Sequence, residues 1–167
     1  MDLSFQYLLD GSFHPSSRIW VYQCNRLFEP AEASAIRKAL KEFTDSWKSH
    51  GDPVRAAGYL FFDQFIILMA DESQTGVGGC STDGSVRFLK ELEQKYQVSL
   101  FDRTNLAFVM DNKVQTIPLN QLDDAIQNGT IKPETPYFNN VVLTKEELES
   151  KWILPVKNSW LNKKLSL

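Results

Sequence analysis

An unbroken apolar run, Phe65, Ile66, Ile67, Leu68, Met69 and Ala70, is too short for a membrane span and rich in branched side chains. It predicts a strand buried on both faces at the centre of a sheet. A polar step of Asp71, Glu72 and Ser73 follows, then a glycine-rich link and a helical pattern in which Ser85, Leu89, Leu92 and Tyr96 share one face. Val86 and Phe88 widen that face, and Lys90, Glu91 and Glu93 occupy the other side. Ser81 or Thr82 is the expected N-cap, since a side-chain oxygen there accepts a bond from an unpaired N–H of the first turn.

The same patterning places the remaining elements. Residues 19–24 alternate as a first strand, and Pro30 opens a helix whose inward face is Ala33, Ile36, Leu40, Phe43 and Trp47. Gly51 is the expected C-cap, with Pro53 preventing continuation. Residues 56–62 and 65–70 form a hairpin about Asp63 and Gln64, and residues 106–110 and 113–117 another about Asp111 and Asn112. After Pro118, Asn120 caps a short helix through Leu122, Ala125 and Ile126 that ends by Gly129. Residues 138–143 read as extended. Thr144 and Glu147 fit a capping box, opening a helix through Leu148, Trp152 and Ile153 that Pro155 ends. In the N-terminal extension, residues 1–17, Phe5, Tyr7, Leu8, Leu9 and Phe13 are too apolar for a solvated tail, so docking on the body is expected.

Through Met110 the order is strand, helix, strand, strand, helix, strand, the split-βαβ or ferredoxin-like order of an α+β fold. The expectation is a single domain with helices on one face of a mainly antiparallel sheet, extended by a hairpin strand and C-terminal helices. At 167 residues, with 43% hydrophobic and 12% aromatic positions, the chain can bury the core of one domain. A net charge of −3 leaves no general basic field, so no nucleic acid partner is expected. Cys24 and Cys80 form no CxxC pair, which argues against zinc or a disulfide scaffold and for a reducing cytoplasm. No stretch approaches the ~20 apolar residues of a spanning helix, and the N-terminus lacks the basic region of a secretory signal.

The ferredoxin-like order brings remote loops to one end of the sheet. His50, Asp52 and Arg55 precede the second strand there, Asp71, Glu72, Ser73 and Cys80 follow the third, and Arg18 and residues 110–112 approach. Cys80 is the candidate nucleophile, because a helix N-terminus stabilises a thiolate; His50 is the candidate base, oriented by Asp52 or Asp71. The competing reading makes Cys80 a small buried apolar residue. Glu72, Ser73, Ser81, Asp83 and Arg55 are the candidate ligand-binding groups at the same end. Asp71, Glu72 and Asp83 are hard oxygen donors, but their spacing matches no established cation loop and no metal is assigned. Gly79 and Gly84 have the separation of a phosphate loop, yet Ser85 and Val86 replace its Lys-Ser/Thr and no GxGxxG occurs; no cofactor is named. Asp102 and Arg103, beside Phe101, read as an ion pair securing a connection or as part of a ligand site. Trp47, Trp152 and Trp160 are core or interface positions, and the lysines of residues 157–164 are too few for a phosphate-binding tract.

Residues 20–26, residues 71–74 with Gly79, Cys80, Ser81, Asp83 and Ser85, residues 100–103 and residues 138–140 resemble a small family of uncharacterised bacterial proteins whose members often carry the label "ABC transporter ATPase". The likeness spans about residues 20–160. It implies no activity, and the label itself is unsupported by these residues, which include neither a Walker A lysine nor an LSGGQ-type signature. The reading reached from sequence is a cytoplasmic α+β domain that binds a protein partner or a small ligand without catalysis. Its alternative is a small enzyme, a thiol-dependent hydrolase or transferase or a carboxylate- or metal-assisted one, with its site after the third strand. A homodimer through an exposed sheet face or the C-terminal aromatic segment is a further expectation.

Overall fold

In the computed structural model, which describes residues 1–165, the apolar run forms strand β5 (Phe65–Asp71) between β1 (Arg18–Gln23) and β4 (Arg55–Phe61), antiparallel to both. Phe65 through Ala70 are all 0% exposed. Alternation sends Ile66 and Leu68 to one face and Phe65, Ile67 and Met69 to the other, so the strand requires two separate covers. Helices α1 (Pro30–Ser46) and α2 (Gly79–Tyr96) supply the first, with Ile36, Leu40, Leu89 and Leu92 against Tyr22, Leu60, Ile66 and Leu68. Along the chain, the short hairpin of β2 (Lys48–Ser49) and β3 (Asp52–Pro53) follows α1 and precedes β4. β4 approaches α1 closely at Gly58, where a Cβ would stand 3.0 Å from Leu40 Cβ.

A second sheet supplies most of the other cover. It is ordered β7-β6-β8-β9, from β6 (Asn105–Met110), β7 (Lys113–Pro118), β8 (Pro136–Phe138) and β9 (Ile153–Pro155). Ala107 and Phe138 of this sheet, with Leu148 of α4 (Lys145–Lys151), Val142 and Trp152, pack on Ile19, Val21, Phe65, Ile67 and Met69. Phe5, Leu9 and Phe13 join the same cluster, at 2%, 7% and 5% exposed. The far face of the second sheet places Phe108 and Tyr137 against Leu122 and Ala125 of α3 (Leu122–Gln127), together with Ile131, Val156 and Leu161. The layers thus run helices, sheet, sheet, helix and 3₁₀ turns.

The α+β class with antiparallel sheets holds, and β1, β4 and β5, the first three strands that the sequence predicts, keep the split-βαβ arrangement. The fourth does not. β6 pairs with β7 and β8 rather than with β1, whose open edge is occupied by residues 143 and 144: Ile19 N–H donates to Leu143 C=O at 3.0 Å, and Arg18 bridges Thr144. Nor are the helices confined to one face, because α4 lies against the apolar inner row of the first sheet, which needs shielding from water as much as the outer row.

Smaller departures have local causes. α2 starts at Gly79 with Gly78 as N-cap; Ser81 Oγ instead donates to Lys48 C=O at 2.9 Å and Thr82 Oγ1 back to Gly78 C=O at 3.1 Å. Gly51 is a hairpin residue, not a helix cap: with His50 it takes positive φ (90° and 52°), as a two-residue turn of this hand demands. The β4–β5 turn is centred on Phe62 and Asp63 (φ 53° and 48°), one residue earlier than the pattern predicts. Gln121, not Asn120, precedes α3, and Ile153 leaves its helix to pair with Phe138. Residues 139–143 are not strand. The Asp111–Asn112 turn (φ 51° and 61°) and the Thr144 cap, accepting from Glu147 N–H at 3.2 Å, match the expectation.

Arg26 ties the end of the first strand to both outer helices. Its guanidinium holds Glu32 by two bonds (2.7 and 3.0 Å) and donates to Tyr96 C=O at 2.8 Å, while Glu32 also accepts from Glu29 N–H to cap α1. These bonds, Arg26 first, lower the Glu32 carboxyl from 4.5 to about 2. A depressed carboxyl contributes stability that is present above pH 4.5 and lost as pH falls toward 2. Glu32→Gln is therefore expected to flatten the acid side of a plot of urea midpoint against pH within that window. Phe5 meets Trp152 edge-on at 4.9 Å, whereas Tyr7 is 75% exposed. Phe5→Ala is expected to cost about 3 kcal/mol or more and Tyr7→Ala less than about 0.5 kcal/mol in denaturant melts.

Candidate functional site

Two places bring chemistry-bearing residues together. The first is the end of the first sheet, where the β2–β3 hairpin braces the start of α2. Trp47 Nε1 donates to Ser81 C=O at 3.0 Å, and Gly78 N–H to Ser49 Oγ at 3.4 Å. His50 Nε2 lies 2.9 Å from where a Cβ on Gly78 would stand, so this ring sits against the chain two residues before Cys80. Both His50 and Cys80 are exposed, and no hydrogen bond joins them to each other or to Asp71.

The carboxylates here have partners already. Asp71 accepts from Ser73 N–H at 3.0 Å and faces Arg55 Nη1 at 3.4 Å; the bonds from Ser73, then Arg55, hold it below the usual carboxylate range. Arg55 also donates to Ser12 Oγ at 2.6 Å and lies 4.7 Å from the Phe13 ring centre. Glu72 accepts from Val77 N–H at 2.8 Å and faces Arg18 at 3.8 Å. Asp52 and Asp83 are exposed, and Ser81 is buried with its hydroxyl committed to Lys48. Residues 110–112 turn the β6–β7 hairpin instead, and Met110 packs beside the α3 cluster. Among the described residues, no group of three or more His, Cys, Asp or Glu is arranged to hold a metal ion. A small cavity of about 40 Å³ at this end is lined by Pro53, Arg55, Asp71, Ser73, Gln74 and Thr75, and neither His50 nor Cys80 belongs to its lining.

The second place is a cleft of about 140 Å³ at the junction of the two sheets. Val21 and Gln23 reach it from β1, Asn105 and Leu106 from β6, and Tyr137 and Phe138 from β8; Leu100, Asp102, Arg103, Leu119, Asn140, Val141 and Trp160 complete it from loops and turns. Its walls are predominantly hydrocarbon and aromatic. A chain of neutral hydrogen-bonding groups runs along it, from an indole behind its wall through two side-chain amides: Trp152 Nε1 donates to Asn140 Oδ1 (3.0 Å), Asn140 Nδ2 to Gln23 Oε1 (2.9 Å), and Gln23 Nε2 to Asn105 C=O (3.1 Å). Gln23 is only 8% exposed, and its burial depends on these two bonds. Trp160 Nε1 donates to Tyr137 OH at 3.1 Å, and burial pushes the Tyr137 phenol up.

Asp102 and Arg103 do not form the expected ion pair. Asp102 accepts from Thr104 N–H (2.8 Å), Thr104 Oγ1 (2.6 Å) and Asn105 Nδ2 (2.6 Å), bonds that lower its carboxyl and leave Arg103 unmatched at the cleft. Sequence reasoning did not single out Gln23, Asn105 or Asn140. The available signals were a glutamine ending an apolar strand and a polar pair after Phe138, each meaningless until β1 and β8 are known to lie side by side.

No family model matches the chain, and no curated protein or solved structure proves similar to it. No helix among the described residues is long and apolar enough to cross a membrane.

The two thiols differ in a way chemistry can read. Cys24 is 0% exposed and burial raises its pKa, whereas Cys80 is open to solvent. Iodoacetamide at neutral pH is expected to label Cys80 alone in the folded protein and both cysteines in denaturant, counted by intact mass and located by peptide mapping.

Proposed function

We propose that the protein is a cytoplasmic binding domain that holds a small, partly apolar molecule in the cleft between its two sheets and does not transform it. The observation that carries this reading is the Trp152–Asn140–Gln23–Asn105 chain across an otherwise hydrocarbon-lined cleft. Apolar walls with a few fixed polar groups are the usual makeup of a small-molecule site, the walls supplying affinity and the polar groups orientation. Amides suit that role and not catalysis: they donate and accept hydrogen bonds but neither titrate near neutral pH nor attack a substrate. An engineered apolar cavity of about 150 Å³ admits benzene, so a cleft of about 140 Å³ takes one ring or a short chain. Two free cysteines accord with a reducing compartment.

The test is a fragment screen read by amide and indole N–H shifts. Hits are expected to move the side-chain signals of Gln23 and Asn140 and the Trp160 indole. Leu119 stands half-exposed at the mouth (46%), so Leu119→Trp is expected to plug the cleft and abolish these shifts. As a surface change it should leave the thermal midpoint within about 2 °C. Hits that map instead to His50 and Cys80, or that survive Leu119→Trp, would overturn the assignment.

A further inference from the structure

We infer that the ligand of the inter-sheet cleft is a small monocarboxylate, its anionic end held by Arg103 and its apolar body by the cleft walls; the inference rests on the cleft being a binding site. Arginine charge elsewhere in this protein is mostly spent. Of six arginines, Arg18, Arg26, Arg37 and Arg55 face carboxylates at 3.8, 2.7, 2.6 and 3.4 Å, and Arg87, exposed on α2 and without an ion pair among the described residues, does not line the cleft. Among the described residues Arg103 makes no ion pair and no hydrogen bond, although an acidic residue precedes it and the chain carries net negative charge. Asp102 is withheld from it by three donors, so the neighbouring carboxylate that would satisfy the guanidinium is turned to Thr104 and Asn105.

A guanidinium left open beside an apolar cavity matches a carboxylate, whose two oxygens accept its parallel N–H donors. The charge count sets the class. Arg103 is the one cation in the lining and Asp102 the one anion, so the lining is neutral overall and Asp102 repels the double charge of a phosphate monoester more than the single charge of a carboxylate. Volume sets the size, a ring or a chain of a few carbons, well below the ~300 Å³ lower bound of ordinary drug-sized pockets. A shallower depression adjoins through Asn105 and Leu119 and offers room at the mouth, where the charged end would sit in partial contact with water.

Three probes of matched shape test this by titration into isotope-labelled full-length protein: benzoate, its neutral isostere benzamide, and phenyl phosphate. Benzoate is expected to shift Gln23, Asn140 and the Trp160 indole, with benzamide binding at least about fivefold more weakly, as one partly exposed charge pair supplies. Arg103→Gln should erase the difference between the two, Arg103→Lys should keep part of it, and 1 M salt should diminish it. Equal binding of benzoate and benzamide, preference for phenyl phosphate, or indifference to Arg103→Gln would overturn the carboxylate assignment while the cleft remained a binding site. No shift from any probe at about 10 mM, a concentration at the weak limit of fragment binding, would overturn both. Arg103 is exposed in a loop, so its variants are expected to fold, and their unchanged amide spectra verify it.

Discussion

The constraint on which the structure turns is that β5 has no face to give to water. Five large apolar side chains on it are fully buried, a contribution on the order of 10 kcal/mol, comparable with the whole net stability of an ordinary domain. Exposure of either face would forfeit a large share of that. Two covers are therefore obligatory, and every other layer is recruited to one or the other. α1 and α2 close the outer side, and the second sheet, α4, Trp152 and the N-terminal aromatics close the inner side.

That second cover is made from parts distant in sequence, and its seam is where the cleft lies. Phe138 stacks on Phe65 at 4.4 Å and Trp152 meets Phe65 edge-on at 5.4 Å, so hydrocarbon contact sets the spacing of the two sheets at one end. Beyond those rings the sheets meet through amides rather than hydrocarbon. Gln23 stands where the inner row of β1 would otherwise continue apolar, and Asn140 answers it from the β8 side. The polar chain and the aromatic stack share Trp152, which packs with its ring and donates with its Nε1. Packing and hydrogen bonding thus locate the same seam.

Much of the first sheet is legible from sequence because its signals are local. A six-residue apolar run and a helix with apolar residues at three- and four-residue spacing each act within a few residues of themselves, as does the Asp-Asn turn that makes the β6–β7 hairpin of the second sheet legible. The rest of the second sheet is not, for the reverse reason. β8 and β9 are three residues each, one of them begins and the other ends with proline, and they become strands only by pairing with β6 and with each other. The candidate site divides along the same line. His50 and the start of α2 do meet, since the β2–β3 turn is short and the intervening hairpin returns the chain to the same end. The cleft depends on Gln23 finding Asn140, a pairing that no periodicity announces. Arg103 was visible as half of an ion pair, and only the three donors that claim Asp102 reveal that the pair is absent.

The bond between Gln23 and Asn140 joins positions 117 residues apart. As the chain leaves the ribosome, β1, β4 and β5 can assemble once residue 71 has emerged, yet beyond what Phe5, Leu9 and Phe13 cover, the inner side of that sheet lacks its main cover until Phe138, Leu148 and Trp152 follow. Between about residues 71 and 138 of its synthesis the nascent polypeptide therefore presents an apolar surface only partly covered, the kind of exposure that draws holdase chaperones. The inter-sheet cleft is the last feature to close, since Asn140, Val141 and Trp160 complete its lining.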